Sequence, residues 1–112
     1  MPSFTFKQLA AVEVSTAAIA SLTLYTVPAG FRALVREFNV QASDAAATGN
    51  LEVLKGAVQH SLGGDVLTAA PTVVERRLML EPGDVVRLNV TLAGGGGSVA
   101  RVIVSGTEIS TT

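Results

Sequence analysis

The run Leu22–Val40, LTLYTVPAGFRALVREFNV, limits the possible folds more than any other part of the chain. Pro28 presets φ and brings no N–H to a ladder, so it ends a strand; Gly30 lets the chain turn at little steric cost. The flanking runs, Leu22–Val27 and Phe31–Val40, are rich in β-branched, aromatic and aliphatic residues. Two strands joined at a Pro28-Ala29-Gly30 corner, read as a hairpin, make this a β protein.

The same alternation of short apolar runs and turn signals continues along the chain. Strands are predicted over Leu9–Val14, Leu51–Val58, a short Val58–Leu62 region, Thr72–Leu80 and Val99–Ser105, with Gly106–Ile109 closing the domain. Val86, Leu88, Val90 and Leu92 recur at period two against Val85, Arg87, Asn89 and Thr91, the pattern of a half-buried strand. Ser15–Ala20 and Ala42–Asn50 read as loops, Gly63-Gly64-Asp65 as a turn before Val66–Thr68, and Glu81-Pro82-Gly83-Asp84 as a turn with φ preset at Pro82. The predicted fold is all-β, an antiparallel jelly-roll-like β-sandwich of about seven to nine strands. It forms one domain, residues 9–112, behind an N-terminal arm of residues 1–8. Its predicted core includes Leu24, Leu34, Phe38, Val86, Leu88, Val90 and Val102.

Charge then bears on partners. Only 15% of residues are charged, against about 25% in ordinary domains, and mean hydropathy is +0.48. A small domain has much surface to cover, so this deficit predicts that part of the outside is buried against other subunits. Eight basic and nine acidic residues leave a net charge of −1, no field for gathering nucleic acid or an anionic membrane. Cysteine is absent, which excludes disulfides and thiolate metal sites. Lys7 precedes an apolar segment that Glu13 interrupts, and the uncharged run Val14–Phe31 holds Ser, Thr, Pro and Gly; neither a signal peptide nor a membrane span is expected.

No constellation of catalytic residues stands out. Gly94–Gly97 lacks the helix N-terminus or Lys that completes a phosphate loop and reads as a hairpin tip. His60, the single histidine, has no carboxylate at ligand spacing, and no Ser–His–acid trio is singled out. The expectation is no enzyme, no catalytic, cofactor-binding or metal site, and no cofactor. The candidate site is an interface. Arg32 and Arg36 share a strand face at i and i+4 and suit inter-subunit salt bridges beside Glu37. Arg76 and Arg77, being adjacent in a strand, point to opposite faces, one of them toward a neighbour and a partner such as Glu75 or Glu81. Phe4 and Phe6, two apart in the arm, present both rings to one side if extended, and either anchor a neighbouring subunit or add an edge strand to their own domain.

A further set of motifs carries a family likeness. The order Thr23-Leu24-Tyr25-Thr26-Val27-Pro28-Ala29-Gly30, a strand ending near Asn39, a glycine-containing centre, Leu80-Glu81-Pro82-Gly83-Asp84 and Val104-Ser105-Gly106-Thr107-Glu108-Ile109 resembles small β-sandwich virion proteins of tailed bacteriophages, over residues 9 to 109. Phe31-Arg32 stands where members often place a small residue and a basic one. The resemblance implies a non-enzymatic capsid decoration protein, a homotrimer on the major capsid protein or another virion protein. It would be located in the virion and made in the bacterial host cytoplasm, with no nucleic acid or membrane as partner. The alternatives are a tail or fibre adaptor, or a carbohydrate- or receptor-binding module. For the latter, the loops offer Asp44, Asn50 and Asp65, but Tyr25 is the one tyrosine and Trp is absent.

Overall fold

The computed structural model describes residues 4–43, 47–56, 58–63, 65–68 and 70–111, and for residues 4–7 the backbone alone. Eight strands follow in order: β1 (Phe4–Ser15), β2 (Ala20–Thr26), β3 (Phe31–Ala42), β4 (Thr48–Lys55), β5 (Val58–Ser61), β6 (Thr72–Leu80), β7 (Val85–Leu92) and β8 (Val99–Ser110). They form two four-stranded antiparallel sheets, β1-β8-β3-β6 and β2-β7-β4-β5. The ladders are nested: β4 pairs with β5, β3 with β6, β2 with β7 and β1 with β8. The chain is thus one long hairpin rolled on itself, with β8–β3 and β7–β4 closing each sheet. This is a jelly roll. Strands of 12 residues at about 3.3 Å per residue supply most of a long dimension of 48 Å.

The nesting corrects the sequence reading of the turns. Pro28–Gly30 joins no hairpin: β2 lies in one sheet and β3 in the other, and the corner carries the chain across the sandwich. Gly94–Gly97 likewise crosses between sheets, from β7 to β8. The one connection between ladder neighbours is β4–β5, where Lys55 pairs with Val58 around Gly56 at φ +63°. That turn falls inside Leu51–Val58, which had read as one strand. Each crossing packs against its nested counterpart. Val27 N–H donates to the Asp84 carbonyl and Gly83 N–H to the Val27 carbonyl, both at 3.0 Å, while Thr16 N–H donates to the Ser98 carbonyl at 2.9 Å. The buried Asp84 carboxylate ties the first of these ends together, accepting from Glu81 N–H at 2.9 Å and Gly56 N–H at 3.3 Å.

The first strand starts earlier than the sequence reading placed it. From Phe4 to Gln8 the backbone assigned to an arm already pairs with Ile109 to Ser105 of β8, and the register slips at Leu9 before resuming at Ala10. Slips recur in line across this sheet. In β3, Arg36 is extra between the pairs Val35–Gly106 and Glu37–Ser105 with β8; in β6, two residues, Arg76 and Arg77, stand opposite that one between Leu78 and Glu75. These bulges crease the sheet. At the crease Gly106 is buried, and a Cβ there would collide with the Leu34 carbonyl and Val35 Cα.

The crease also changes which residues face inward. Ala33 and Val35 point to the core before Arg36; Phe38, Val40 and Ala42 do so after it. Leu34, expected in the core, is half-buried and faces outward, level with Met79 of β6. The other named core positions, Leu24, Phe38, Val86, Leu88, Val90 and Val102, are buried as expected.

Candidate functional site

The outer faces of the sheets differ in chemistry. The β2-β7-β4-β5 sheet presents a polar surface. Arg87 Nη2 meets Glu52 Oε1 at 2.5 Å across the β4–β7 ladder. Ser21 Oγ donates to Asn89 Oδ1 at 3.1 Å, and Asn50 Nδ2 to Ser61 Oγ at 3.3 Å. The Arg87–Glu52 pair is largely shielded, with 19% and 9% of the side chains exposed, although strand periodicity places both outward. Arg87 Nε is buried without a hydrogen-bond partner among the described residues. Asn50, read as a loop residue, lies instead on β4; it shares an open depression with Asp65, Thr48, Ser61 and Thr91. One Asp65 oxygen is already committed to the Gly49 and Leu67 N–H groups. Asp44 lies outside the described residues.

On the other sheet the proposed interface residues separate into two places. Arg32 forms a 2.7 Å ion pair with Glu81, in the turn that follows β6 of the same chain. Arg36, Arg76 and Arg77 gather at the crease and line a depression of about 430 Å³ with Glu37 and Glu75. Alternation had sent Arg76 and Arg77 to opposite faces. Both nevertheless line this one depression, at a bulge where two residues of β6 stand opposite one of β3. For Phe4 and Phe6 the structure describes register alone, opposite Ile109 and Thr107; their side chains lie outside the described ones.

A second feature was not read from the sequence. Edge strands β5 and β6 leave a slot of about 310 Å³ between the sheets. Val53, Leu78 and Leu80 form its apolar wall, and Lys55, His60 and Arg77 its basic side. Val53 and Leu80 are core residues, so the slot reaches the hydrophobic interior. The signal available was Gly56, whose turn makes β5 an edge strand; a Gly-X turn suits a two-residue hairpin. His60 sits exposed on β5 opposite Val53. Among the described residues no three His, Asp or Glu side chains converge as a metal site.

Tyr25 links the two sheets. It is 8% exposed, and its hydroxyl donates to Glu108 Oε2 at 2.8 Å. Burial first, and then the hydrogen bond and charge of Glu108, push the phenol well above its ordinary value of about 10. The folded state therefore holds the proton more tightly than the unfolded chain does. This stabilisation is complete below pH ~10 and is lost as pH rises beyond it. In an alkaline titration the phenolate absorbance of this single tyrosine is expected to rise together with loss of β structure. A phenolate signal near pH ~10 in a still-folded protein would contradict the burial.

Solved chains far apart in sequence share this architecture. A chain in the acidic stable capsid of Helicobacter pylori bacteriophage KHP30 matches with a TM-score of 0.65 at 15% identity, over 96% of this chain and 93% of that one. The Drosophila NLP core, solved for insight into pentamer formation and histone binding, matches at 0.56 and 16% identity, over 94% and 98%. A chain of infectious bursal disease virus, Gt strain, matches at 0.55 and 9% identity, over 97% of this chain but 32% of that one. Neither a protein-family model nor a curated protein matches the sequence. At such identities the likeness is one of fold, and the chain is an eight-stranded jelly roll of the kind that a phage capsid chain also adopts.

Proposed function

We propose that this chain is a structural virion protein of a tailed bacteriophage that decorates the capsid as a homo-oligomer. The observation that carries the proposal is the correspondence in fold with the KHP30 capsid chain over nearly the whole of both chains. The low charge content and the half-buried or exposed apolar side chains Leu34, Val73 and Met79 on the outer face of the creased sheet agree with a surface that is covered in an assembly. The partners are further copies of the chain and the major capsid protein. In this role the chain carries out no chemistry and needs no cofactor; it is made in the host cytoplasm and ends in the virion.

A trimer follows from the resemblance to decoration proteins. The pentamer named for the NLP core, which shares the fold, supplies the competing ring size. Native mass spectrometry of the purified protein decides between three and five copies. For the role itself, the protein is co-expressed with the major capsid protein of a phage genome that carries its gene. Saturable co-sedimentation with the shells, at a fixed ratio to the capsid protein, is expected. Shells that sediment without it would overturn decoration, and association with tail-tip proteins instead would favour the adaptor role.

A further inference from the structure

The basic side chains divide by position. Arg32, Arg87 and Arg101 are ion-paired with Glu81, Glu52 and Glu13. Arg36, Lys55, Arg76 and Arg77 have no carboxylate within ion-pair distance among the described residues. All of these unpaired cations lie on one margin of the molecule, around β6 and the slot that separates it from β5. Carboxylates are present nearby in Glu37 and Glu75 at the crease, but none lines the slot. Among the described residues, the cations outside ion pairs thus gather beside the apolar opening, three of them outnumbering the two carboxylates that share their depression.

The backbone at this margin is held by side chains that can let go. Lys55 Nζ donates to the Met79 carbonyl at 3.3 Å, and Arg76 donates to the carbonyls of Glu75 at 3.0 Å and Leu62 at 3.1 Å. These are exposed bonds from flexible side chains. An incoming strand replaces them with ladder bonds at little net cost in hydrogen bonding. Among the described residues neither edge is paired with a further strand.

We propose that this margin binds an extended acidic segment of a partner protein, added as a strand along β6 with aliphatic side chains in the slot and carboxylates toward Arg36, Arg76 and Arg77. A strand places successive side chains on opposite faces. A segment alternating aliphatic and acidic residues therefore matches the apolar interior on one side and the arginine depression on the other. Backbone pairing supplies affinity and the slot with its cations supplies selection, as in other strand-addition complexes. The proposal stands apart from the virion role, since the acidic segment is defined by chemistry and its binding is read on the free protein.

The test uses a short labelled peptide alternating Glu and Val, with its Lys-Val counterpart as control. Saturable binding by anisotropy, with amide shifts confined to β5, β6 and their flanks, is expected. Arg77→Glu and Lys55→Glu, both at exposed positions, should each weaken binding by about tenfold or more. Arg101→Glu, on β8 away from the slot, should leave it unchanged. No saturable binding to the wild-type protein at millimolar peptide, equal binding of the Lys-Val peptide, or shifts on the polar outer face of the β2-β7-β4-β5 sheet would each overturn the proposal.

Discussion

Gly106→Ala is expected to lower the unfolding free energy by about 3 kcal/mol, a large share of the roughly 5–15 kcal/mol available to a domain of this size. The cause is backbone rather than side-chain crowding. At the crease β3 and β8 approach so closely that a methyl group at position 106 overlaps the Leu34 carbonyl, and no rotamer change relieves an overlap with main chain. Relief requires moving β3 off β8 at its centre, where both its ladders would suffer. Gly96→Ala is the control: its Cβ meets nothing within 4 Å and should shift stability by no more than about 0.5 kcal/mol. Denaturant midpoints of the two variants decide the matter, and equal midpoints would refute the close approach.

Leu88→Ala is expected to cost about 2–5 kcal/mol, and Leu34→Ala roughly 1 kcal/mol. Leu88 is fully buried on a central strand, paired to Leu22 on one side and Leu51 on the other, so truncation leaves a cavity that two ladders hold open. Leu34 faces outward and gives up only partial burial. The contrast checks the bulge at Arg36 directly. Without that extra residue, Leu34 and Phe38 would share a face, and both leucine variants would be costly.

What could be read in the sequence and what could not differ in physical range. The strands over Leu22–Val27, Thr72–Leu80 and Val86–Leu92 announced themselves because period-two burial and turn chemistry are local. Which sheet receives the next strand is not local. Pro28–Gly30 stops one strand and starts another equally well in a hairpin or in a crossing, and only the partner far along the chain distinguishes them. Bulges were hidden for a related reason. Arg36 and Arg76-Arg77 look like ordinary strand residues until the opposing strand fixes the register. The three arginines were therefore recognisable as candidates, while their convergence on one depression was not. The slot was less legible still, because Gly56 interrupts a run of apolar residues that reads as continuous strand.

The nesting of the ladders sets the order in which the fold is cheapest to close. Phe4 pairs with Ile109, nearly the whole chain apart, whereas Lys55 pairs with Val58 across a two-residue turn. Bringing β1 to β8 first means confining the entire intervening coil. Once β4 and β5 have met, β3 and β6 need only draw in the links between Ala42 and Thr48 and between Ser61 and Thr72. The next pair then closes two corners of a few residues each, and the terminal strands follow. Because closure entropy grows with the length of free chain, a path that zips from the central hairpin outward never pays for more than two short loops at a time, so the slow contact between the chain ends becomes the last and least demanding step.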